Sequence, residues 1–448
     1  MIYSKDVLKQ KEVGKRMDRG AILSHAKSCE PLCPEEKQMR KWERTTISEV
    51  ADLIAGFAFK SKDFGDFQDK VVKIKDITPP TFDTINAEGV NINFYSLEKL
   101  KKYKISYGDY VLAMTGATIG KVGRYIAAQE SYINQRVLKF CPHFQKCDKD
   151  FLYYTLLTPD FLPFVLNHID SQSVQPNISA SSVGKFQFRL PPLRTQQQIA
   201  KVLSSLDDKI ELNAQINHNL EEQAKAIFKS WFVDFEPFDG SIPDETKEVE
   251  LQSLCKIVTK GTTPTTLGFA FTSEGINFIK AESITDNHEF DIGKFSFIDD
   301  KTHEALKRSI IHQGDILFSI AGTLGRFSIV DNSILPANTN QAVAIIRPDT
   351  TVVDPYYIYS FFIGDWHQEH YRKRIQQAVQ ANLSLTTIKS LPILLLPPSL
   401  KQQYENMINP LFTKVMQNRK ENRILIALRD ALLPKLMSGE IDVSEVQV

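Results

Sequence analysis

Cysteine is scarce, with five residues in 448: Cys29, Cys33, Cys141, Cys147 and Cys255. So odd and scattered a set excludes a disulfide-built scaffold and fits a reducing cytoplasm. Cys29 and Cys33 lie four apart, but no second Cys/His pair stands at zinc-ligand spacing, so no metal site is expected. Long apolar runs are missing too. No stretch of about 18 apolar residues could cross a bilayer, and the opening MIYSKDVLKQKEVGKR is too polar for a secretory signal. The third absence is an excess of charge, since Lys plus Arg total 54 and Asp plus Glu total 54. A neutral chain carries no global electrostatic sign of nucleic-acid binding, so any such contact must come from local patches or a partner-completed surface. What remains is an ordinary globular composition, 42% apolar and 24% charged, long enough for two or three domains.

The sequence does contain a second copy of its own plan. Tyr107-Gly108-Asp109-Tyr110-Val111-Leu112 returns as Gln313-Gly314-Asp315-Ile316-Leu317-Phe318. Thr118-Ile119-Gly120-Lys121 returns as Thr323-Leu324-Gly325-Arg326, and Ile133-Asn134-Gln135 as Thr339-Asn340-Gln341. Val174-Gln175-Pro176-Asn177 is answered by Val379-Gln380-Ala381-Asn382, and Leu190-Pro191-Pro192 by Leu396-Pro397-Pro398. Gln196-Gln197 matches Gln402-Gln403. The offset stays near 205 residues throughout, which gives two copies, 45–236 and 247–440. Chance does not hold one offset that long.

Within each copy the texture changes once. Before the double proline, short β-rich runs such as VVKIKDI, DYVLAM, GDILFSI and AVAIIRP alternate with turn residues. After it, a helical stripe begins. Ile199, Leu203, Leu206, Ile210, Asn213, Asn217, Leu220, Ala224, Ile227 and Trp231 step by fours and threes. Tyr404, Ile408, Leu411, Val415, Asn418, Asn422 and Leu425 do the same, which is a coiled-coil seam. The paired asparagines either set the register of that seam at a cost in stability or simply face solvent. If the two helices pack antiparallel, they hold the β-rich halves at opposite ends of a rod. Roughly 35 residues at about 1.5 Å each give about 50 Å, more than one DNA turn of roughly 34 Å.

This layout resembles the specificity subunits of type I restriction-modification systems. The match is carried by Leu190-Pro191-Pro192-Leu193 with Gln196-Gln197, by Ala226-Ile227-Phe228-Lys229-Ser230-Trp231-Phe232, and by Leu428-Arg429-Asp430-Ala431-Leu432-Leu433-Pro434-Lys435-Leu436. It covers about residues 40–442. The resemblance implies a mixed α/β (α+β) fold, with two target recognition domains separated by two long antiparallel coiled-coil helices. Recognition domains are expected at 39–194 and 247–399, conserved helices at 195–236 and 400–442, and a linker at 237–246. Residues 1–38 have no counterpart, and are either a misassigned start or a disordered tail. The resemblance further implies a cytoplasmic, non-catalytic subunit that reads a bipartite site in double-stranded DNA. Two methyltransferase subunits and, through the complex, motor-nuclease subunits are its expected partners. S-adenosylmethionine, ATP and Mg belong to those partners, with no cofactor, metal or membrane contact expected here.

Several motifs invite other chemistry. Gly116-Ala117-Thr118-Ile119-Gly120-Lys121-Val122 imitates a phosphate-binding loop, but only three residues separate its glycines and Val122 replaces the magnesium-binding hydroxyl. Both copies keep a glycine turn with Thr and a cation, either a DNA-backbone contact or a plain β-turn. Candidates there are Thr115, Thr118 and Lys121, with Thr323 and Arg326. Asn134, Gln135, Asn340 and Gln341 follow in the next turn. Gln172, Gln175, Asn177, Gln380 and Asn382 sit in two polar loops, either ordinary surface or adenine readers. Arg372, Lys373 and Arg374 precede the second loop and favour DNA. Asp354-Pro355-Tyr356-Tyr357 echoes the adenine-binding motif of N6-adenine methyltransferases, with Asp150 as its repeat partner, but Asp-Pro more commonly opens a helix. A fused or stand-alone adenine-N6 methyltransferase-specificity protein is the alternative this motif leaves open. A protein-only repeat scaffold is a third. No catalytic set can be assembled from the nine dispersed histidines.

Overall fold

A computed structural model describes residues 42–169, 176–366 and 382–446. The extension at 1–38 lies outside the described residues. β-Branched and aromatic runs form the strands, and their order repeats. In the first half Ala51–Ala55, Val137–Pro142, Tyr110–Ala113 and Val122–Tyr125 lie side by side, with Thr81–Phe82 on the far edge. In the second, Cys255–Lys260, Val343–Pro348, Ile316–Ser319 and Phe327–Ile329 repeat that order. A smaller sheet repeats as well, where Phe64–Val72 runs parallel to Ser131–Ile133, and Ile276–Ile279 parallel to Ala337–Thr339. The repeat is therefore one topology used twice. Glycine marks where the two sheets cross closely. A Cβ on Gly56 would lie 2.2 Å from the Asn134 carbonyl oxygen, and one on Gly261 would lie 2.1 Å from that of Thr339.

Each half ends where it began. Glu43–Thr46 pairs with Gln187–Leu190, and Lys247–Glu250 with Pro392–Leu395. The chain then passes the double proline, whose fixed φ suits a helix start. The first long helix is Leu193–Phe232, 40 residues, and the second Pro398–Ser438, 41 residues. Both start two residues before the expected 195 and 400, and both end four before 236 and 442. Gln196 fixes the first start, because its buried amide donates to the carbonyls of Pro191 (2.8 Å) and Lys146 (3.0 Å) and accepts from Asp148 N (2.8 Å).

The helices pack antiparallel. Asp207 meets Arg429 at 2.8 Å, and the Trp231 and Tyr404 ring centroids are 5.4 Å apart. Each globular core then borrows from both helices. The first takes Ile199 and Leu203 from the start of one and Leu433 and Leu436 from the end of the other. The second takes Phe228, Trp231 and Phe232, then Tyr404, Ile408 and Phe412. That exchange relates the halves by a pseudo-twofold axis. Trp42 packs on the first core, and Gln198 Nε2 donates to the Ser444 and Val446 carbonyls at 3.3 and 2.9 Å. The ends of the described chain meet there.

The seam needs one correction. Ile227 and Leu411 are only half-buried, while the neighbouring Phe228 and Phe412 are fully buried. At the helix ends a domain core selects the buried face, and the partner helix does not. In the middle, Leu206, Ile210, Leu220 and Leu425 are half-buried, since two helices cannot enclose each other. There Asn213 Nδ2 donates to Asn422 Oδ1 at 2.8 Å, and Asn418 Nδ2 to Asn217 Oδ1 at 2.9 Å. The layer is incompletely satisfied. Asn213 Oδ1, Asn217 Nδ2 and Asn418 Oδ1 are buried with no hydrogen-bond partner among the described residues.

Candidate nucleic-acid interface

Three backbone segments converge at one end of each main sheet. In the first half Met114 N donates to Arg136 O (2.9 Å) and Ile178 N to Met114 O (3.0 Å). This gathers the Gly116–Lys121 turn, the Asn134–Arg136 turn and the stretch from Pro176. In the second half Ile320 N donates to Ala342 O (2.8 Å) and Leu383 N to Ile320 O (2.9 Å). Thr115, Thr118, Lys121, Asn134, Gln135 and Asn177 therefore share one sheet end. Thr323, Arg326, Asn340, Gln341 and Asn382 share the other. Gln172, Gln175, Arg372, Lys373, Arg374 and Gln380 lie outside the described residues.

Proximity does not make every side chain available. Thr115 is buried, with Oγ1 donating to the Pro176 carbonyl at 2.7 Å. Thr323 Oγ1 donates to the Ala281 carbonyl at 2.9 Å. Arg326 makes a two-pronged pair with Asp286, 2.7 Å on each prong, and donates to the Ile284 carbonyl at 3.2 Å. Asn134 and Asn340 accept from their own turns, at Gln135 N (2.6 Å) and Ala342 N (3.2 Å). These five act as braces, and Arg326 is no equivalent of Lys121. Thr118 Oγ1 reaches only the Thr115 carbonyl, at 3.5 Å. Lys121, Gln135 and Asn382 are exposed, and Asn177 Oδ1 accepts from Arg136 at 3.2 Å. Gln341 is exposed and accepts from Thr263 Oγ1.

The candidates from sequence omit a basic turn beside each of these ends. Lys101–Tyr103 and Lys307–Ser309 are single 3₁₀ turns at the repeat offset. The Tyr103 ring lies 5.3 Å from Phe57, whose backbone bridges to Asn134. Arg308 reaches Thr262 Oγ1 at 3.3 Å, and Thr262 N donates to the Thr339 carbonyl at 3.1 Å. Lys101, Lys102, Lys307 and Arg308 are exposed and meet no carboxylate among the described residues. Three other lysines of the first half are neutralised. Lys73 and Lys75 hold Glu88 at 2.8 and 3.0 Å, which keeps that carboxyl down at about 2, and Lys104 holds Glu130 at 2.6 Å. Matching Lys101-Lys102 to Lys307-Arg308 along the repeat is the signal that finds them.

A family profile for the type I restriction modification DNA specificity domain matches residues 39–222 and again 243–419. The chain belongs to that family. The MjaIX specificity subunit of Methanocaldococcus jannaschii is 25% identical over 427 residues, covering 91% of this chain and 95% of that one. The EcoBI specificity subunit of Escherichia coli is 25% identical, covering 89% and 86%. The crystal structure of a type I restriction-modification S subunit from M. genitalium shares the fold, with a TM-score of 0.54, 16% identity, and coverage of 88% and 96%.

In this family member the methyltransferase look-alike is structural. Asp354 caps the helix Pro355–Ile363, accepting from Tyr356 N at 2.8 Å, while the Tyr357 hydroxyl donates to the Leu394 carbonyl at 2.6 Å. Its repeat partner is Asp148, which caps Lys149–Leu156 in the same way, and not Asp150. The Gly116–Val122 stretch is a hairpin turn, with Gly120 at φ +85° and its counterpart Gly325 at +84°. Among the described residues no group of three or more His, Cys, Asp or Glu is placed to hold a metal ion, and no helix is long and apolar enough to cross a membrane.

Proposed function

We infer that the chain reads a split DNA sequence as the non-catalytic specificity subunit of a type I restriction-modification complex. Each recognition domain reads one part of the target through its basic turn, its Gln135 or Gln341 turn and the adjoining polar loop. The helix pair sets the gap between the parts and docks two methyltransferase subunits, with motor-nuclease subunits joining for restriction. Adenine methylation with S-adenosylmethionine, and ATP- and Mg-dependent work, fall to those partners. The observation that carries this reading is the duplicated topology, held by antiparallel helices whose ends complete both cores. One topology placed twice about a pseudo-twofold axis suits a duplex read at two separated positions. The fused-methyltransferase reading loses its support, because Asp354 and Tyr357 are committed to capping and packing. Calorimetry and gel shift test both. The lone chain should bind no S-adenosylmethionine, and with methyltransferase subunits should shift target duplex in a salt-dependent way. Stoichiometric cofactor binding by the lone chain would overturn the reading.

A further inference from the structure

The two halves differ in the space between the main sheet and the helix pair. In the second half five residues separate Ile284 from Phe290, and this loop takes up part of the space, leaving a cavity of about 310 Å³ lined by Gln313, Ile329, Asp331 and Met416 among others. His288 stacks on Phe327 at 4.0 Å, and its carbonyl accepts from Ser328 Oγ at 2.7 Å. Arg419, buried on the second helix, donates to the Asn287 and His288 carbonyls at 3.0 and 2.9 Å and pairs with Glu221 at 2.7 Å.

In the first half only four residues separate the matching Ile77 and Phe82, and Pro79-Pro80 lie among them. A cavity of about 510 Å³ is left open there. Its floor is aromatic, with Tyr110 and Tyr153 stacked at 4.2 Å. Sheet register places Arg124 where the second half has Ile329, and Arg124 Nε is buried without a hydrogen-bond partner among the described residues. The helix-side rim carries four carboxylates, Asp207, Asp208, Glu211 and Asp430, against the guanidinium groups of Arg124 and Arg429. The side chain of Asp208 is 70% exposed and that of Asp430 59%. The surroundings thus offer an apolar seat, a guanidinium on a side chain that is 30% exposed, and a surplus of negative charge. A phosphate or other anion is disfavoured. A peptide loop fits, as one does in the second half, if a basic residue flanks its buried side chain.

We propose that this cavity receives a loop of one docked methyltransferase subunit, an apolar or aromatic side chain flanked by Arg or Lys, with a backbone carbonyl on Arg124. The proposal rests on the assembly reading above. Its consequence is that two identical partner subunits meet unequal surfaces, wider in the first half and narrowed by the chain's own loop in the second.

The test places a photo-crosslinking p-benzoylphenylalanine at Tyr107, which is 62% exposed at the cavity mouth. The assembled complex is irradiated and the crosslinked segment sequenced by mass spectrometry. The expected result is one crosslinked methyltransferase subunit per complex, through a segment bearing Arg or Lys. Asp208→Lys with Asp430→Lys should reduce that crosslink about tenfold, while Lys225→Glu in the second half leaves it intact. An assembled complex with no crosslink, or one into DNA or an acidic segment, overturns the cavity proposal alone. Failure of the parent chain to assemble overturns the assembly reading with it.

Discussion

Lys101, Lys102, Lys307 and Arg308 have no carboxylate to answer among the described residues, unlike Lys73, Lys75 and Lys104. Removing one cation from a DNA phosphate lowers the slope of log affinity against log salt by about one. The pair Lys101→Ala and Lys102→Ala should therefore reduce that slope by about two. Lys73→Ala, whose cation is spent on Glu88, should leave it nearly unchanged. Binding isotherms across a salt series decide, and equal slopes would remove the basic turns from the interface. Arg326→Ala should lower stability by breaking the Asp286 pair, with little change of slope. His288 supplies a second residue-scale effect. Burial, with Arg419 nearby, holds its imidazole down to about 4 from 6.5. As pH falls through about 6.5 the unfolded chain takes up a proton that the folded chain refuses until about 4. Stability present at neutral pH is thus lost over that window, by about 3 kcal/mol. Urea midpoints measured from pH 7.5 to 4 should fall more steeply for the parent than for His288→Gln, and parallel curves would contradict this.

At the scale of elements, the asparagine layer states what the helix pair trades. Three of its amide atoms are buried without partners among the described residues, each costing about 1–3 kcal/mol. A slip by one heptad would set at least three of the four asparagines against apolar side chains, so the layer penalises wrong registers more than it stabilises the right one. Replacing all four with Leu should raise the free energy of unfolding by at least about 2 kcal/mol, and broaden the range of gaps between methylated half-sites. Lower stability, or an unchanged single gap, would return the asparagines to ordinary surface. Legibility also divides here. That one plan is used twice, and that each copy ends in a long helix carrying two asparagines on its seam, follow from repeat matches and helix spacing. Phe228 and Phe412 are not legible, because periodicity cannot say which of two adjacent apolar residues turns inward when a domain core covers the helix end. Arg326 escapes sequence reasoning for a related reason. Its partner Asp286 lies in a loop whose length differs between the halves, and the repeat gives no warning of it. Lys101 and Lys307 are legible through the offset but resemble any solvated face.

The whole molecule closes on itself, since both ends of each helix are held by a domain and both described chain ends meet on the first one. At about 1.5 Å per residue the 40-residue helix is about 60 Å long, enough to keep two readers more than a duplex turn apart. Rigidity of that kind predicts independence of the readers. Methylated adenines should be mapped genome-wide in cells carrying the chain and its methyltransferase subunits, then again after replacing residues 39–194 with the matching domain of a relative. The account predicts a two-part motif with a fixed gap, and after the exchange one altered part, one unchanged part and the same gap. A contiguous motif, or a change in both parts, would contradict it.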